Sequence, residues 1–124
     1  MQKIKKIVCI DDEETLLDLY KFILESIFEN CDVRTYSDPL DFLSQRDRSF
    51  DLLVLDLSLN SKITGADVAK QMRDEEKENP IVVLSGFHTD STKEYFKGIR
   101  INGFYQKGIN ILECLKDFKQ YIGD

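Results

Sequence analysis

The sequence predicts an α/β fold in which a five-stranded parallel sheet carries helices on both faces. Three short apolar runs rich in branched residues are typical of strands that are covered on both sides. Segments with helical spacing or helix-start signals lie between the strands, and this strict alternation favours parallel pairing through right-handed crossovers. Two further short segments suit the edges of the sheet. The doubly wound strand order 2-1-3-4-5 therefore fits best.

Length and composition limit the classes of protein to consider. A chain of 124 residues with 42% hydrophobic content supports one substantial core, so a single domain over 1–124 is expected. The net charge of −6 repels a long polyanion such as DNA. No apolar stretch approaches the roughly 18 residues that span a membrane. Cys9, Cys31 and Cys114 contain no C-x-x-C pair, which is typical of reduced thiols in the cytoplasm.

The strands are expected in five short segments. The central strands are predicted at 7–10, 52–55 and 81–84, where each apolar run is uninterrupted. The edge strands are predicted at 32–36, where polar and apolar residues mix, and at 103–106, which is brief. The carboxyl ends of all five strands should therefore meet along one rim of the sheet.

Several helices carry their own start signals. Asp38 precedes Pro39, which places a cap before a proline at the first helical position. Thr64, Ser91 and Asn110 are each followed three residues later by an acid, as in a capping box. These residues predict where the helices begin.

The first and last helices are predicted from the spacing of their apolar residues. Within 15–28, these residues recur at three- and four-residue steps and define a core-facing stripe. The stripe comprises Leu16, Leu19, Tyr20, Ile23, Leu24 and Ile27. The last helix is expected over 111–122. It ends close to the last residue, so output is expected to come from a separate partner, with a longer parent protein as the alternative.

Polar residues follow four of the predicted strands at the rim where ligands bind in such sheets. Asp11 and Asp12 follow the first strand, Asp56 the third, Ser85 the fourth and Lys107 the fifth. Three carboxylates in a small volume repel one another and favour a cation, and their hard oxygen atoms suit Mg²⁺ with retained waters. A divalent metal site is therefore predicted at the three aspartates.

The same residues suit phosphoryl transfer. With a metal shielding its charge, Asp56 can attack phosphorus and form an acyl phosphate. The Lys107 ammonium would pair with a phosphoryl oxygen, and the Ser85 hydroxyl would donate a hydrogen bond. Taken alone, Asp11 and Asp12 are as often caps of the next helix as functional residues. A lone Asp56 or Ser85 is more often a polar loop residue, and a lone Lys107 is more often a solvated side chain. Their joint occurrence at four strand ends favours a functional site.

These strand-end motifs together resemble the receiver domain of two-component response regulators, over about residues 3–121. They read VCIDD at 8–12, LLVLD at 52–56, IVVLSG at 81–86 and GFYQK at 103–107. The resemblance implies the flavodoxin-like receiver fold and a magnesium-dependent phosphoacceptor site.

The resemblance also assigns roles to individual residues. Asp56 would be the phosphoacceptor, and Asp11 and Asp12 would join it around Mg²⁺, with the Ser58 backbone carbonyl as a further ligand. Lys107 would contact the phosphoryl group. Self-phosphorylation and self-dephosphorylation at Asp56 are expected, although the protein is not expected to be an enzyme in the ordinary sense.

A switch is implied in the same way. Ser85 and Phe104 would form the switch pair, in which the hydroxyl moves toward the phosphoryl group and the ring turns inward. Ser58 and Phe87 occupy positions that border the approach of the attacking water. We expect the Phe87 ring to obstruct that water and lengthen the phosphoryl lifetime. His88 is interpreted as an exposed loop residue.

The chain departs from the family pattern in two places. The segment 57–65 lacks the proline that usually follows the phosphoacceptor, and it is one residue longer. Gly108 stands where the family has a cis-proline, so a trans bond, a mobile loop and a less rigidly held Lys107 are expected.

The implied partners are proteins. The phosphoryl donor would be a histidine kinase or a histidine phosphotransfer protein, and phosphorylation would change the affinity for a downstream partner. By resemblance, the partner face includes the fourth helix, fifth strand and fifth helix, and a dimer that forms on phosphorylation is left open. The candidate contacts are Tyr95, Phe96, Tyr105 and Leu112.

Two alternative functions remain. A phosphorylation-independent interaction module of the same fold would have no need of the acid pair and Lys107. A haloacid-dehalogenase-type phosphatase also forms an aspartyl phosphate after a strand. That class requires a second acid two residues after the nucleophile, where this chain has Ser58.

Overall fold

Five parallel strands form the centre of the computed structural model, which describes residues 3–108 and 110–123. The strands are β1 (Lys5–Ile10), β2 (Cys31–Tyr36), β3 (Leu52–Leu55), β4 (Ile81–Ser85) and β5 (Gly103–Gln106). The helices are α1 (Glu14–Ile27), α2 (Pro39–Leu43), α3 (Gly65–Asp74), α4 (Thr89–Tyr95), α5 (Ile111–Asp117) and α6 (Lys119–Ile122). The sheet order is β2-β1-β3-β4-β5, so the predicted order is confirmed.

The burial of the strands follows their predicted places in the sheet. All residues of β3 and β4 are buried, as are the last four of β1. β5 is only partly buried throughout, and β2 mixes buried, intermediate and exposed residues. Continuous apolar runs thus identified the central strands, and mixed or short runs identified the edges.

Each face of the sheet packs against its own hydrophobic core. One core contains Phe42 of α2, Met72 of α3 and Phe96, which follows α4. The other contains Leu24 of α1 and Phe118, which follows α5. All three cysteines are free. In the part of the chain that the structure describes, no helix has the length and apolar character to cross a membrane.

The predicted caps of α2 and α3 are confirmed. The Asp38 carboxylate accepts a hydrogen bond from the Leu40 N–H at 2.9 Å, and Pro39 occupies the first turn of α2. At α3, the Thr64 hydroxyl accepts from the Asp67 N–H, and the Asp67 carboxylate accepts from the Thr64 N–H. This reciprocal pair is a capping box.

The predictions for α4 and α5 need correction. α4 begins at Thr89, and its cap is His88, whose Nδ1 accepts a hydrogen bond from the Asp90 N–H. Ser91 therefore lies inside the helix, because an acceptor was already available three residues earlier. Asn110 does precede α5, but its φ is 45° and its side chain makes no capping hydrogen bond.

The first and last helices also differ from prediction in detail. α1 buries Leu17 as well as Tyr20 and Leu24, whereas Leu19 is exposed. Leu17 and Leu19 belong to two overlapping sets of apolar residues that both follow helical spacing. The spacing alone therefore did not show which set faces the core. The last helix is interrupted at Phe118, whose N–H bonds back only three residues to the Leu115 carbonyl, which tightens the chain between α5 and α6.

Replacing Thr64 with alanine should lower the free energy of unfolding by about 1 kcal/mol, because the substitution removes the acceptor for the Asp67 N–H. Urea denaturation followed by far-UV circular dichroism measures this change. Ser91→Ala is the matched control, and it should stay within about 0.5 kcal/mol of wild type. An equal loss in both variants would contradict the assignment of the two caps.

Candidate functional site

Three carboxylates meet at the carboxyl ends of β1 and β3. Oxygen atoms of Asp11, Asp12 and Asp56 all lie within 4.8 Å of one another. Asp11 is 2% exposed and Asp56 is 5% exposed. Their backbones continue the sheet, because the Asp11 N–H donates to the Tyr36 carbonyl and the Asp56 N–H donates to the Ile10 carbonyl. The three acids therefore lie together at the ends of adjacent strands, as the sequence predicts.

Lys107 lies between two of these acids. Its Nζ is 2.8 Å from Asp11 Oδ2 and 2.9 Å from Asp56 Oδ2. The Lys107 N–H also donates to the Ser85 carbonyl at 2.7 Å, which extends the β4–β5 ladder by one residue. The ammonium therefore balances part of the negative charge that the strand ends bring together.

Burial shifts the pKa values of two of these acids and of Lys107. It raises the pKa of both Asp11 and Asp56, and the hydrogen bonds and charge of Lys107 only partly offset that rise. Burial lowers the pKa of Lys107, but its bonds to the two carboxylates outweigh this effect, so the Lys107 pKa is raised. A group of acids with raised pKa values favours a further cation, since a cation stabilises the ionised form.

The residues therefore fit a divalent metal ion. The three carboxylates supply hard oxygen ligands at one point, and two of them are largely removed from solvent. Mg²⁺ is typically bound by one or two carboxylates while it keeps several waters. Asp56 Oδ2 bonds to Lys107, whereas Oδ1 receives only a long hydrogen bond of 3.4 Å from the Ser58 N–H. This second oxygen has lone pairs available for a metal or another electrophile.

An open cleft of about 340 Å³ lies over the cluster. It is bordered by Asp56 and Lys107, by the exposed Ser58, and by Ser85 and Phe87. Ser85 is buried, and its Oγ accepts a hydrogen bond from the Phe87 N–H at 3.2 Å. The Phe87 ring is 55% exposed. A small group in this cleft would thus contact carboxylate, ammonium and hydroxyl together.

Phe104 lies on β5 and faces one of the two hydrophobic cores. Its ring is half-buried and packs edge-on against Phe96, with 5.7 Å between the ring centroids. The Lys93 ammonium lies 5.9 Å from the Phe104 ring centroid. The ring therefore packs against the core of the protein, and Phe104 is not among the residues that line the cleft.

Sequence reasoning missed Glu13. Its N–H donates to Asp11 Oδ1 at 2.9 Å, and its carboxylate lies 3.8 Å from Lys107 Nζ. Its place directly after the acid pair was the available signal. A larger cleft of about 520 Å³ lies beside Asp12 and Glu13, but it contacts neither Asp56 nor Lys107.

The loop after Asp56 is anchored although it has no proline. Leu57 and Leu59 are buried in the core on the α3 side of the sheet. The Gly65 N–H donates to the Leu57 carbonyl at 2.9 Å, and a Cβ atom at Gly65 would lie 2.1 Å from the Asp56 carbonyl oxygen. The start of α3 therefore packs directly against the Asp56 backbone, which only glycine allows.

The loop after Lys107 has the expected trans geometry. No cis peptide bond occurs among the residues that the structure describes, so the Lys107–Gly108 bond is trans. Gly108 has φ +83°, a left-handed conformation that favours glycine.

Comparison with known proteins identifies response regulators among the relatives of this chain. A family model described as the response regulator receiver domain matches residues 7–119. The transcriptional regulatory protein ComA of Bacillus subtilis (strain 168) is 31% identical over 121 residues, which cover 95% of this chain and 54% of ComA. The chain thus spans about half the length of this curated relative.

Solved structures share the fold. Response regulator DrrB of Thermotoga maritima superposes with a TM-score of 0.84 at 20% identity, over 97% of this chain and 53% of DrrB. Response regulator TrrA of Thermotoga maritima, solved in complex with Mg(2+)-BeF, superposes with a TM-score of 0.79 at 23% identity, over 95% of this chain and 99% of TrrA. The flavodoxin-like arrangement is therefore confirmed.

Replacing Gly65 with alanine should lower the free energy of unfolding by about 1–3 kcal/mol, since the new Cβ atom collides with backbone rather than with a movable side chain. Chemical denaturation measures the change. Gly86→Ala is the control, because a Cβ there meets nothing within 4 Å and should change stability by less than about 0.5 kcal/mol. A neutral Gly65→Ala variant would contradict the close packing of α3 on Asp56.

Proposed function

The chain belongs to the response regulator receiver domain family, and on that basis we propose that it is a signalling switch with Asp56 as its phosphoacceptor. The main support is the position of Asp56, which lies buried at a strand end beside the acid pair Asp11 and Asp12 and in contact with Lys107. A carboxylate beside a cation and a metal site is suited to attack on phosphorus. The proposed unit is a single receiver domain.

Mg²⁺ is the proposed cofactor. Asp11, Asp12 and Asp56 would hold it, with the Ser58 backbone carbonyl as a further ligand. The support is the close approach of three carboxylates and the Mg(2+)-BeF complex of TrrA. When bound, the ion supplies charge neutralisation for the phosphoryl oxygens.

The proposed reaction is one phosphoryl transfer. An Asp56 oxygen forms a bond to phosphorus while the bond between phosphorus and the donor histidine nitrogen breaks, and the nitrogen keeps that electron pair. The donor would be a histidine kinase or a histidine phosphotransfer protein. A small acyl phosphate can replace it, in which case the broken bond joins phosphorus to the acyl oxygen. Hydrolysis of the aspartyl phosphate would later reset the switch.

Lys107 and Ser85 would then contact the phosphoryl group. The Lys107 ammonium already contacts Asp56 at 2.9 Å, so a phosphoryl group on Asp56 would lie within reach of it. The Ser85 hydroxyl borders the same cleft and would donate a hydrogen bond to a phosphoryl oxygen. Movement of Ser85 toward that oxygen would open space for Phe104, whose ring is only half-buried.

The proposed output surface comprises α4, β5 and α5. Tyr95 is 65% exposed and Leu112 is also exposed, so both are available to a protein partner or to a second copy after phosphorylation. Phe96 belongs to the core, and the Tyr105 hydroxyl is hydrogen-bonded within the protein. The cytoplasm is the proposed compartment, because all three cysteines are free thiols.

Incubation with acetyl phosphate and Mg²⁺ should add one phosphoryl group to the protein, as measured by intact mass spectrometry. Asp56→Asn should abolish the adduct, because the amide is not a nucleophile toward phosphorus. An adduct that persists in Asp56→Asn would contradict the assignment. No adduct on wild type would favour a phosphorylation-independent binding module, and rapid turnover of phosphate esters would favour a phosphatase.

Replacing Phe87 with alanine or glutamate should shorten the lifetime of the phosphorylated protein. The exposed ring borders the cleft, and a smaller or acidic side chain would leave a path for the attacking water. The decay of the phosphorylated mass after removal of the donor measures this rate. Tyr95→Ala, which removes an exposed ring outside the cleft, is the control. An unchanged decay rate in both Phe87 variants would contradict the proposed role of the ring.

A further inference from the structure

The register of β5 on β4 is not fixed by its apolar pattern. β5 is a four-residue edge strand, and it carries an aromatic side chain on each face. Phe104 packs against one core of the sheet and Tyr105 against the other. A slip of one residue exchanges the two faces, and each face would still receive an aromatic ring. Other contacts must therefore specify the observed pairing.

Asn102 supplies two such contacts at the start of β5. Its N–H donates to the Ile81 carbonyl at 2.8 Å. Its side-chain Oδ1 accepts a hydrogen bond from the Ile81 N–H at 3.0 Å. Both backbone polar groups of Ile81 are thus bonded to Asn102, which joins the first residue of β4 to the residue that precedes β5.

Arg73, near the end of α3, holds Asn102 in this orientation. Its Nη2 donates to Asn102 Oδ1 at 3.2 Å, and its Nε donates to the Arg100 carbonyl at 3.0 Å. Its Nη1 donates to the Lys77 and Asn79 carbonyls, each at 2.8 Å. The planar guanidinium suits such a divergent set of acceptors better than a lysine would. One side chain thereby ties α3 to the two loops that enter β4 and β5.

The far end of the same strand carries Lys107. The paired residues run from Val82 with Gly103 to Ser85 with Gln106, and the Lys107 N–H then donates to the Ser85 carbonyl. A shift of one residue along β5 displaces Lys107 by about 3.3 Å and turns its side chain to the opposite face. Its ammonium would then lose its place between Asp11 and Asp56.

We propose that Arg73 and Asn102 are positioning residues for Lys107, which they hold in place by fixing the register of β5 from its opposite end. This proposal rests on the proposed role of Lys107 in phosphoryl transfer. Neither Arg73 nor Asn102 borders the cleft, so both would act on phosphoryl transfer only through Lys107.

Asn102→Ala should slow phosphorylation by acetyl phosphate on the order of tenfold or more, since displacement of a reacting group by about 1 Å can cost 10²-fold. Asn102→Asp keeps an acceptor for both the Ile81 N–H and Arg73, so it should retain a rate close to that of wild type. Arg73→Lys should show a loss between these two. Lys70→Gln is the control, because it removes an exposed ion pair with Asp74 on the same helix and leaves the hydrogen bonds of Arg73 in place.

A double-substitution cycle separates positioning from a general loss of structure. Lys107→Ala should slow phosphorylation, and adding Asn102→Ala to it should cause no further loss, because the second change acts through the first residue. Effects that multiply in the double variant would overturn the proposal. So would an Asn102→Ala variant that phosphorylates at the wild-type rate.

The register itself can be measured in the unphosphorylated protein. NMR contacts between Val83 and Phe104 and slow exchange of the Lys107 amide should be present in wild type and Asn102→Asp, and lost in Asn102→Ala. An unchanged register in Asn102→Ala would overturn the proposal even if its phosphorylation were slow. Wild-type protein that accepts no phosphoryl group would instead refute the proposed function, and the NMR result would still decide the register.

Discussion

The arrangement of the site depends on one electrostatic constraint, which is the charge of three aspartates gathered at the end of a buried sheet. Parallel pairing of β1 with β3 brings Asp11, Asp12 and Asp56 within 4.8 Å of one another. Burial makes the ionised forms costly, so the fold must supply compensating positive charge. Lys107 supplies part of it with contacts of 2.8 and 2.9 Å, and a divalent ion is the proposed remainder. In the proposed function, that ion also offsets the charge of Asp56 and of the phosphoryl oxygens during transfer.

Much of the fold, and the composition of the acidic cluster, were predictable because both depend on strongly patterned segments. The run 52–55 is apolar throughout and forms the buried β3, and the acid that follows it can only emerge at the ligand-binding rim. Features that depend on tertiary contacts were less accessible. The leucine pattern in α1 fits two faces, and only packing selects Leu17 over Leu19. His88 rather than Ser91 caps the start of α4, and the proximity of Glu13 to Lys107 becomes evident only in three dimensions.

The site is also supported from positions that no motif identifies. Gly65 allows α3 to pack on the Asp56 carbonyl, and the buried Leu57 and Leu59 anchor a loop that has no proline. At the opposite end of the sheet from the site, Arg73 and Asn102 join the starts of β4 and β5. The residues at the rim are thus held by contacts at both ends of the strands, and the proposed phosphoryl transfer would require such precise positioning.

The most direct test of the account identifies which of the three acids carries the phosphoryl group. Borohydride reduces an acyl phosphate to an alcohol and so converts a phosphorylated aspartate into homoserine, which tandem mass spectrometry can locate. Protein treated with acetyl phosphate and Mg²⁺ and then with borohydride should contain homoserine at position 56. Homoserine at position 11 or 12 instead, or at none of the three positions, would contradict the central role of Asp56.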